Sequence, residues 1–217
     1  MTLSAKPELI EQDNYEVALG LAREQWKSLD PQRQAARAGA EVRRGEVGQS
    51  VVSVPYLGQS VEVTHPEGIV RRGVAEESPA LWEQILILHY LCSTRPVPDS
   101  DRVIAYCEIP DGRFYDAAYQ RRTKQYLLKI FGSDPERIVE AAKVIGAEPA
   151  TLGDRAVSVR AFPFADLYLV LWRGDDEFPA DASVLLGERI QGFFDAEDIA
   201  VLAGLVVSYV ANAASAK

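Results

Sequence analysis

Three carboxylates stand in a row at Asp175, Asp176 and Glu177, between the apolar run 167–172 and Pro179. Carboxylates carried on a turn at the end of a strand can ligate a hard cation through oxygen, or act as general acid and base. Their spacing is not that of an EF-hand loop, so a solvated acidic loop, its charges paired with Arg173 or capping nearby amides, is the competing reading. His89 is the second candidate, because it interrupts a run that is otherwise almost wholly apolar. A neutral imidazole there can serve as base, ligand or hydrogen-bond donor. A histidine satisfied by a carboxylate or carbonyl, tying helix to sheet, accounts for the same residue without chemistry. Cys92 follows one helical turn later, which allows a thiolate–imidazole couple, although burial among leucines would keep the thiol protonated.

Trp82 shares the apolar run with His89, and Trp172 closes the one that precedes the carboxylates. The expected ligand site is an apolar pocket between helix and sheet bordered by Trp82, His89 and Trp172, with Asp175, Asp176 and Glu177 as its polar groups. Spacing assigns no catalytic residue and no metal-ligand set: the sequence has no Gly-rich phosphate loop, H-E-x-x-H helix or G-x-S-x-G elbow. Arg121, Arg122 and Lys124 form the densest basic cluster, suited to an anionic ligand, an acidic partner or plain solvation. His65, in a Pro- and Gly-bearing turn, reads as exposed.

A formal net charge of -9 disfavours general affinity for nucleic-acid phosphates or anionic lipid. Cys92 and Cys107 are the only cysteines and are not in C-x-x-C units, which argues against a disulfide framework or zinc module and fits a reducing cytoplasm. Residues 1–15 hold Glu8, Glu11 and Asp13 and lack the basic start and apolar run of an export signal. The stretch 199–214 is short for a membrane span and is broken by Ser208 and Asn212, so a buried terminal helix is expected.

These candidates need elements to position them. Ala18, Leu19, Ala22, Trp26 and Leu29 mark one face of an opening helix. Asp30 and Pro31 end it and start a second, which stops near Gly39. After a polar loop at 41–49, strands are predicted near 51–54, 60–64 and 69–72, joined by tight turns into an antiparallel meander. Ser78 and Pro79 cap a helix over 81–92, apolar nearly all round and therefore central. A strand at 103–109, a turn at 110–112 and a helix over 115–131 follow. Ser133 with Glu136 spells a capping box for a helix carrying Ile138, Ala141, Ala142 and Ile145 and ending at Gly146. A hairpin of 156–162 with 167–172, a strand at 183–186, a helix near Arg189 and a capped helix from Asp195 complete the chain. The fold class is α+β, a largely antiparallel sheet packed against a central apolar helix, with N-terminal and C-terminal helices. One domain spans 1–217, a helical segment at about 10–40 preceding a body at about 50–214.

Three strings in order, Leu86-Ile87-Leu88-His89-Tyr90-Leu91, Trp172-Arg173-Gly174-Asp175-Asp176-Glu177-Phe178-Pro179 and Glu197-Asp198-Ile199, resemble the uncharacterised bacterial and archaeal domain-of-unknown-function family numbered 3786. The resemblance covers most of the chain. It implies no established activity, but it implies kinship with members that carry a cysteine-rich iron–sulfur segment and occur in anaerobes. With two cysteines this chain departs from that arrangement and cannot ligate a four-thiolate cluster alone.

The expected function is therefore a non-enzymatic accessory or ligand-binding module linked to anaerobic metabolism, its cofactor unassigned, its partner a small molecule or another protein. Nucleic acid and membrane are not expected. The alternatives are a hydrolase or lyase joining the carboxylate loop to His89, and a homodimeric interaction protein using the apolar terminal helix.

Overall fold

The computed structural model describes residues 12–46, 48–73 and 77–215. Residues 1–11, on which most of the export-signal reading rests, lie outside the described residues. Helix α1 (Gln12–Lys27) buries Leu19, Ala22 and Trp26, the stripe read from its spacing. Asp30 caps α2 (Pro31–Ala38) by accepting from the Gln32 and Arg33 amides at 2.9 and 3.4 Å. Gly39, at φ 65°, turns the chain out of α2 in the left-handed conformation that glycine adopts most cheaply.

Four antiparallel strands follow in chain order: β1 (Glu41–Arg44), β2 (Ser50–Tyr56), β3 (Gln59–His65) and β4 (Val70–Arg72). The meander is as predicted, but its first strand corrects the polar loop expected at 41–49. Glu41, Arg43 and Arg44 are solvent-facing edge residues, so β1 lacks the apolar alternation that announces a strand, and pairing with β2 holds it instead.

Helix α3 (Leu81–Cys92) is the central element, with nine of its twelve residues buried. Its bounds are those predicted, but Ser78 and Pro79 do not cap it. Ala80 is its boundary residue, and the Glu83 carboxylate reaches back to accept from the Ala80 amide at 3.3 Å.

The strand expected at 103–109 is only β5 (Val103–Ile104), because the chain tightens into a 3₁₀ turn at Tyr106–Glu108. The helix expected over 115–131 is two, α4 (Gly112–Arg122) and α5 (Lys124–Phe131), broken at buried Thr123, whose ψ is −80° and whose hydroxyl donates to the Tyr119 carbonyl at 2.7 Å. The capping box at Ser133 and Glu136 does not form before α6 (Arg137–Ala142): Glu136 makes no cap hydrogen bond and its carboxylate pairs with Arg155 and Arg173. A distant guanidinium pair outcompetes the local amide.

The second sheet comprises β6 (Glu148–Ala150), β7 (Arg155–Phe162), β8 (Ala165–Trp172) and β9 (Asp181–Gly187) with β5, in the order β5-β9-β8-β7-β6, all antiparallel. Pro163 and Phe164 make the β7–β8 turn, and β8 is the middle strand that its two-faced apolar sequence demands. Helix α7 (Ala196–Ser215) starts at Asp195, which accepts from the Asp198 amide at 2.9 Å.

Two sheets thus replace the single sheet expected within the α+β class. The Leu57 amide donates to the Ala161 carbonyl at 3.1 Å, linking them. Beside that bond, Gly58 at φ 73° and Gly146 at φ 70° meet backbone to backbone, and a Cβ built on Gly146 would lie 2.9 Å from the Gly58 Cα. One continuous apolar cluster runs from Trp26 through both sheets and α3 to α7. Helix α7 is long and apolar enough to cross a membrane, but no residue from Asp198 to Ala214 is exposed, and α4, α5 and α6 pack on it. Most of its apolar residues are covered by the chain itself.

Candidate functional site

The carboxylate loop is built as an Asx turn. Asp175 Oδ1 accepts from the Glu177 and Phe178 amides at 2.8 and 2.7 Å, and the Asp175 amide donates to the Phe178 carbonyl at 2.8 Å. Those two amides hold the Asp175 carboxyl below its ordinary range. Asp176 and Glu177 are exposed, and Arg173 turns instead toward Glu136. Trp172, 38% exposed, ends the strand beside them.

His89 lies elsewhere. Its Nδ1 sits 3.0 and 2.9 Å from the two carboxylate oxygens of Asp198 at the start of α7. The hydrogen bond to Asp198 raises the imidazole above its ordinary pKa; burial opposes the rise, and the charges of Asp198, Asp195 and Glu197 add to it. The next residue, Tyr90, packs its ring on Phe162 and Phe193, and its hydroxyl oxygen accepts from the Phe164 amide at 3.2 Å. The C-terminal end of α3 is thereby fixed at the β7–β8 turn. Trp172 is seven residues along β8 from Ala165, about 23 Å at the rise of an extended strand.

The six expected site residues are therefore not brought together. Trp82 and His89 share a helix, both half-buried, while Trp172, Asp175, Asp176 and Glu177 cluster at the opposite end of the second sheet. The carboxylate loop and His89 do not form an acid–base couple. Cys92 is buried, with its thiol pushed up to about 12 by burial. Of the basic cluster, Lys124 pairs with Asp181 at 2.6 Å, and Arg121 and Arg122 face solvent. His65 is not exposed as expected: its ring meets Trp26 edge-on at 5.3 Å, and its buried Nε2 has no hydrogen-bond partner among the described residues.

Three arrangements escaped the sequence. Glu83, 3% exposed, accepts at one oxygen from the hydroxyls of Tyr56 at 3.0 Å and Tyr209 at 2.8 Å and pairs there with Arg72. Arg37 donates to the carbonyls of Ser93, Gly192 and Arg95, and its guanidinium lies 5.1 Å from the Phe193 ring centroid. The third is a polar cleft of about 240 Å³ on the face of β7, β8 and β9 turned away from the core. Arg160, Asp166 and Tyr168 come from the strands, and Asp101, Glu188 and Arg189 close the rim. Arg160 pairs with Asp166 at 2.9 Å, Arg189 with Asp101 at 3.1 Å, and Glu188 with Arg102 at 3.2 Å. Burial, with the charge of Asp166 behind it, raises the Tyr168 phenol, which stays protonated and able to donate.

One family model matches residues 30–209, most of the chain. The chain belongs to DUF3786, a domain of unknown function. The DUF3786 span runs from the cap of α2 to Tyr209 in α7 and so contains the complete cleft, the His89–Asp198 pair and the Glu83 cluster. No curated protein and no solved structure matches the chain.

Proposed function

We propose that this DUF3786 chain is a non-catalytic module that binds a small polar molecule, with the cleft on the second sheet as its site. The observation that carries the reading is the convergence there of charged groups from four separate stretches of chain around about 240 Å³ of open volume. That is smaller than the roughly 300–1,000 Å³ clefts that take drug-sized ligands, and it suits a small metabolite. Strands hold the floor, so the polar groups keep their positions without help from the ligand. Its charged side chains stand in ion pairs at the wall, Arg160 with Asp166, Arg189 with Asp101 and Glu188 with Arg102.

Native mass spectrometry of gently purified protein tests the reading. The expected result is an added mass, reproducible between preparations, that is lost from an Arg160→Ala, Tyr168→Ala double variant with an unchanged circular dichroism spectrum. A bare chain, or a bound mass indifferent to that double variant, counts against the cleft.

A further inference from the structure

We infer that the outer face of α4 docks an acidic, partly apolar segment of a partner protein. Phe114 and Tyr115 stand 86% and 57% exposed near its start, and Ala117, Arg121 and Arg122 continue the same solvent face. Phe114 and Arg121 lie two helical turns apart, so about 10 Å of one face runs from an aromatic ring to a guanidinium. The opposite face is anchored. Gly112 packs on the Tyr106 carbonyl where a Cβ would clash, and Tyr119 stacks on Tyr106 at 4.0 Å while donating to the Val184 carbonyl at 3.0 Å. The outer face is thus presented without a rearrangement of its own. None of its residues lines the cleft on the second sheet, so this surface stands apart from the binding reading above.

Charge and apolar area together say what covers it. Single exposed aromatics are ordinary, but adjacent aromatics beside arginines are the composition of protein interfaces. The side chains of Arg113, Arg121 and Arg122 have no hydrogen bond, ion pair or ring contact among the described residues. Arg33 and Arg44, the other arginines in that state, stand on α2 and β1. The helix dipole favours Arg121 and Arg122 in the last turn but opposes Arg113 in the first, so the helix alone does not account for the set. Asp116, the one carboxylate of α4, is half-buried and accepts from the Gln120 side chain at 3.2 Å. Residues 111–131 carry five basic and two acidic side chains in a chain of net charge -9. An extended polyanion or an anionic lipid surface reaches past this patch to the negative remainder of the chain and is repelled. A short acidic segment meets the patch alone, because charges beyond a Debye length are screened. Its carboxylates pair with Arg121 and Arg122, and an apolar side chain about 10 Å away covers Phe114.

The test is a titration of the ¹⁵N-labelled full chain with a synthetic peptide of glutamate, aspartate and leucine, followed by NMR. Amide shifts are expected along α4, and added sodium chloride should weaken binding. An Arg121→Glu, Arg122→Glu double variant with an unchanged circular dichroism spectrum should lose about tenfold or more in affinity, and Phe114→Ser about threefold. An Arg33→Glu, Arg44→Glu double variant, which changes the net charge equally, should keep wild-type affinity, as should Arg160→Ala with Tyr168→Ala. Absence of shifts on α4, or equal losses in the two charge-reversed proteins, overturns the inference. Tighter binding of oligothymidylate, or of phosphatidylserine vesicles in co-sedimentation, overturns it in favour of a nucleic acid or a membrane. Self-association that Arg121→Glu, Arg122→Glu abolishes overturns it in favour of a second copy of this chain.

Discussion

His89 and Asp198 face each other across 109 residues of sequence, the imidazole Nδ1 within 3.0 Å of both carboxylate oxygens. The contact ties the C-terminal end of α3 to the first turn of α7, while Tyr209 hydrogen-bonds to Glu83 at the other end of α3. Two polar pairs thus hold the two most apolar helices together.

The first of these pairs has a pH signature. The folded His89 pKa lies above its unfolded value of about 6.5. The stabilisation is therefore fully present below pH 6.5, provided Asp198 is ionised, and is lost as pH rises through the folded value. With the imidazole side chain 35% exposed, solvent screening limits the effect to about 1 kcal/mol or less. Urea denaturation of wild type and His89→Asn should show a larger stability difference at pH 5.5 than at pH 8.5. Asp198→Asn should flatten that dependence; a gap of the same size at both pH values would remove the ion pair from the account.

Glu83→Ala should cost about 3–5 kcal/mol, because it leaves the Arg72 charge and the hydroxyls of Tyr56 and Tyr209 without their common acceptor. Tyr209→Phe removes one donor and should cost about 1 kcal/mol. Chemical denaturation ranks them, and equal costs would show that the carboxylate is not the hub.

Arg37→Lys should destabilise by about 1–3 kcal/mol despite keeping the charge. A single ammonium cannot reproduce a fork that reaches the carbonyls of Ser93, Arg95 and Gly192. A midpoint within error of wild type would mean that solvent replaces those bonds at no cost.

Gly146→Ala meets two penalties at once, a φ of 70° and a Cβ 2.9 Å from the Gly58 Cα. Neither backbone can yield as a side chain would, so a loss of about 1–3 kcal/mol is expected in thermal unfolding. Unchanged stability would show that the two turns separate freely.

The elements legible in the sequence are those that bury one face or are buried all round. The stripe of α1, the apolar α3 and the β7–β8 hairpin report their surroundings through residue type alone. Strand β1 is invisible because three of its four residues face solvent. The break at Thr123 and the diversion of Glu136 depend on partners elsewhere in the fold. The candidate site fared worse for the same reason. Asp198 was visible within the Glu197-Asp198-Ile199 string, yet nothing local connects it to His89. The cleft is assembled only when β7, β8 and β9 come into register, and Asp101, Arg160, Asp166 and Arg189 each read locally as an ordinary surface charge.

The packing of α7 under α4, α5 and α6 bears on how the chain matures. A ribosome releases every strand and the helices α1–α6 before the last turns of α7 emerge. Until α7 docks, the sides of α4, α5 and α6 that it covers stay wet, and Glu83 lacks its Tyr209 donor. Chain order therefore leaves those apolar faces uncovered until α7 is available, and exposed apolar surface of that kind favours self-association.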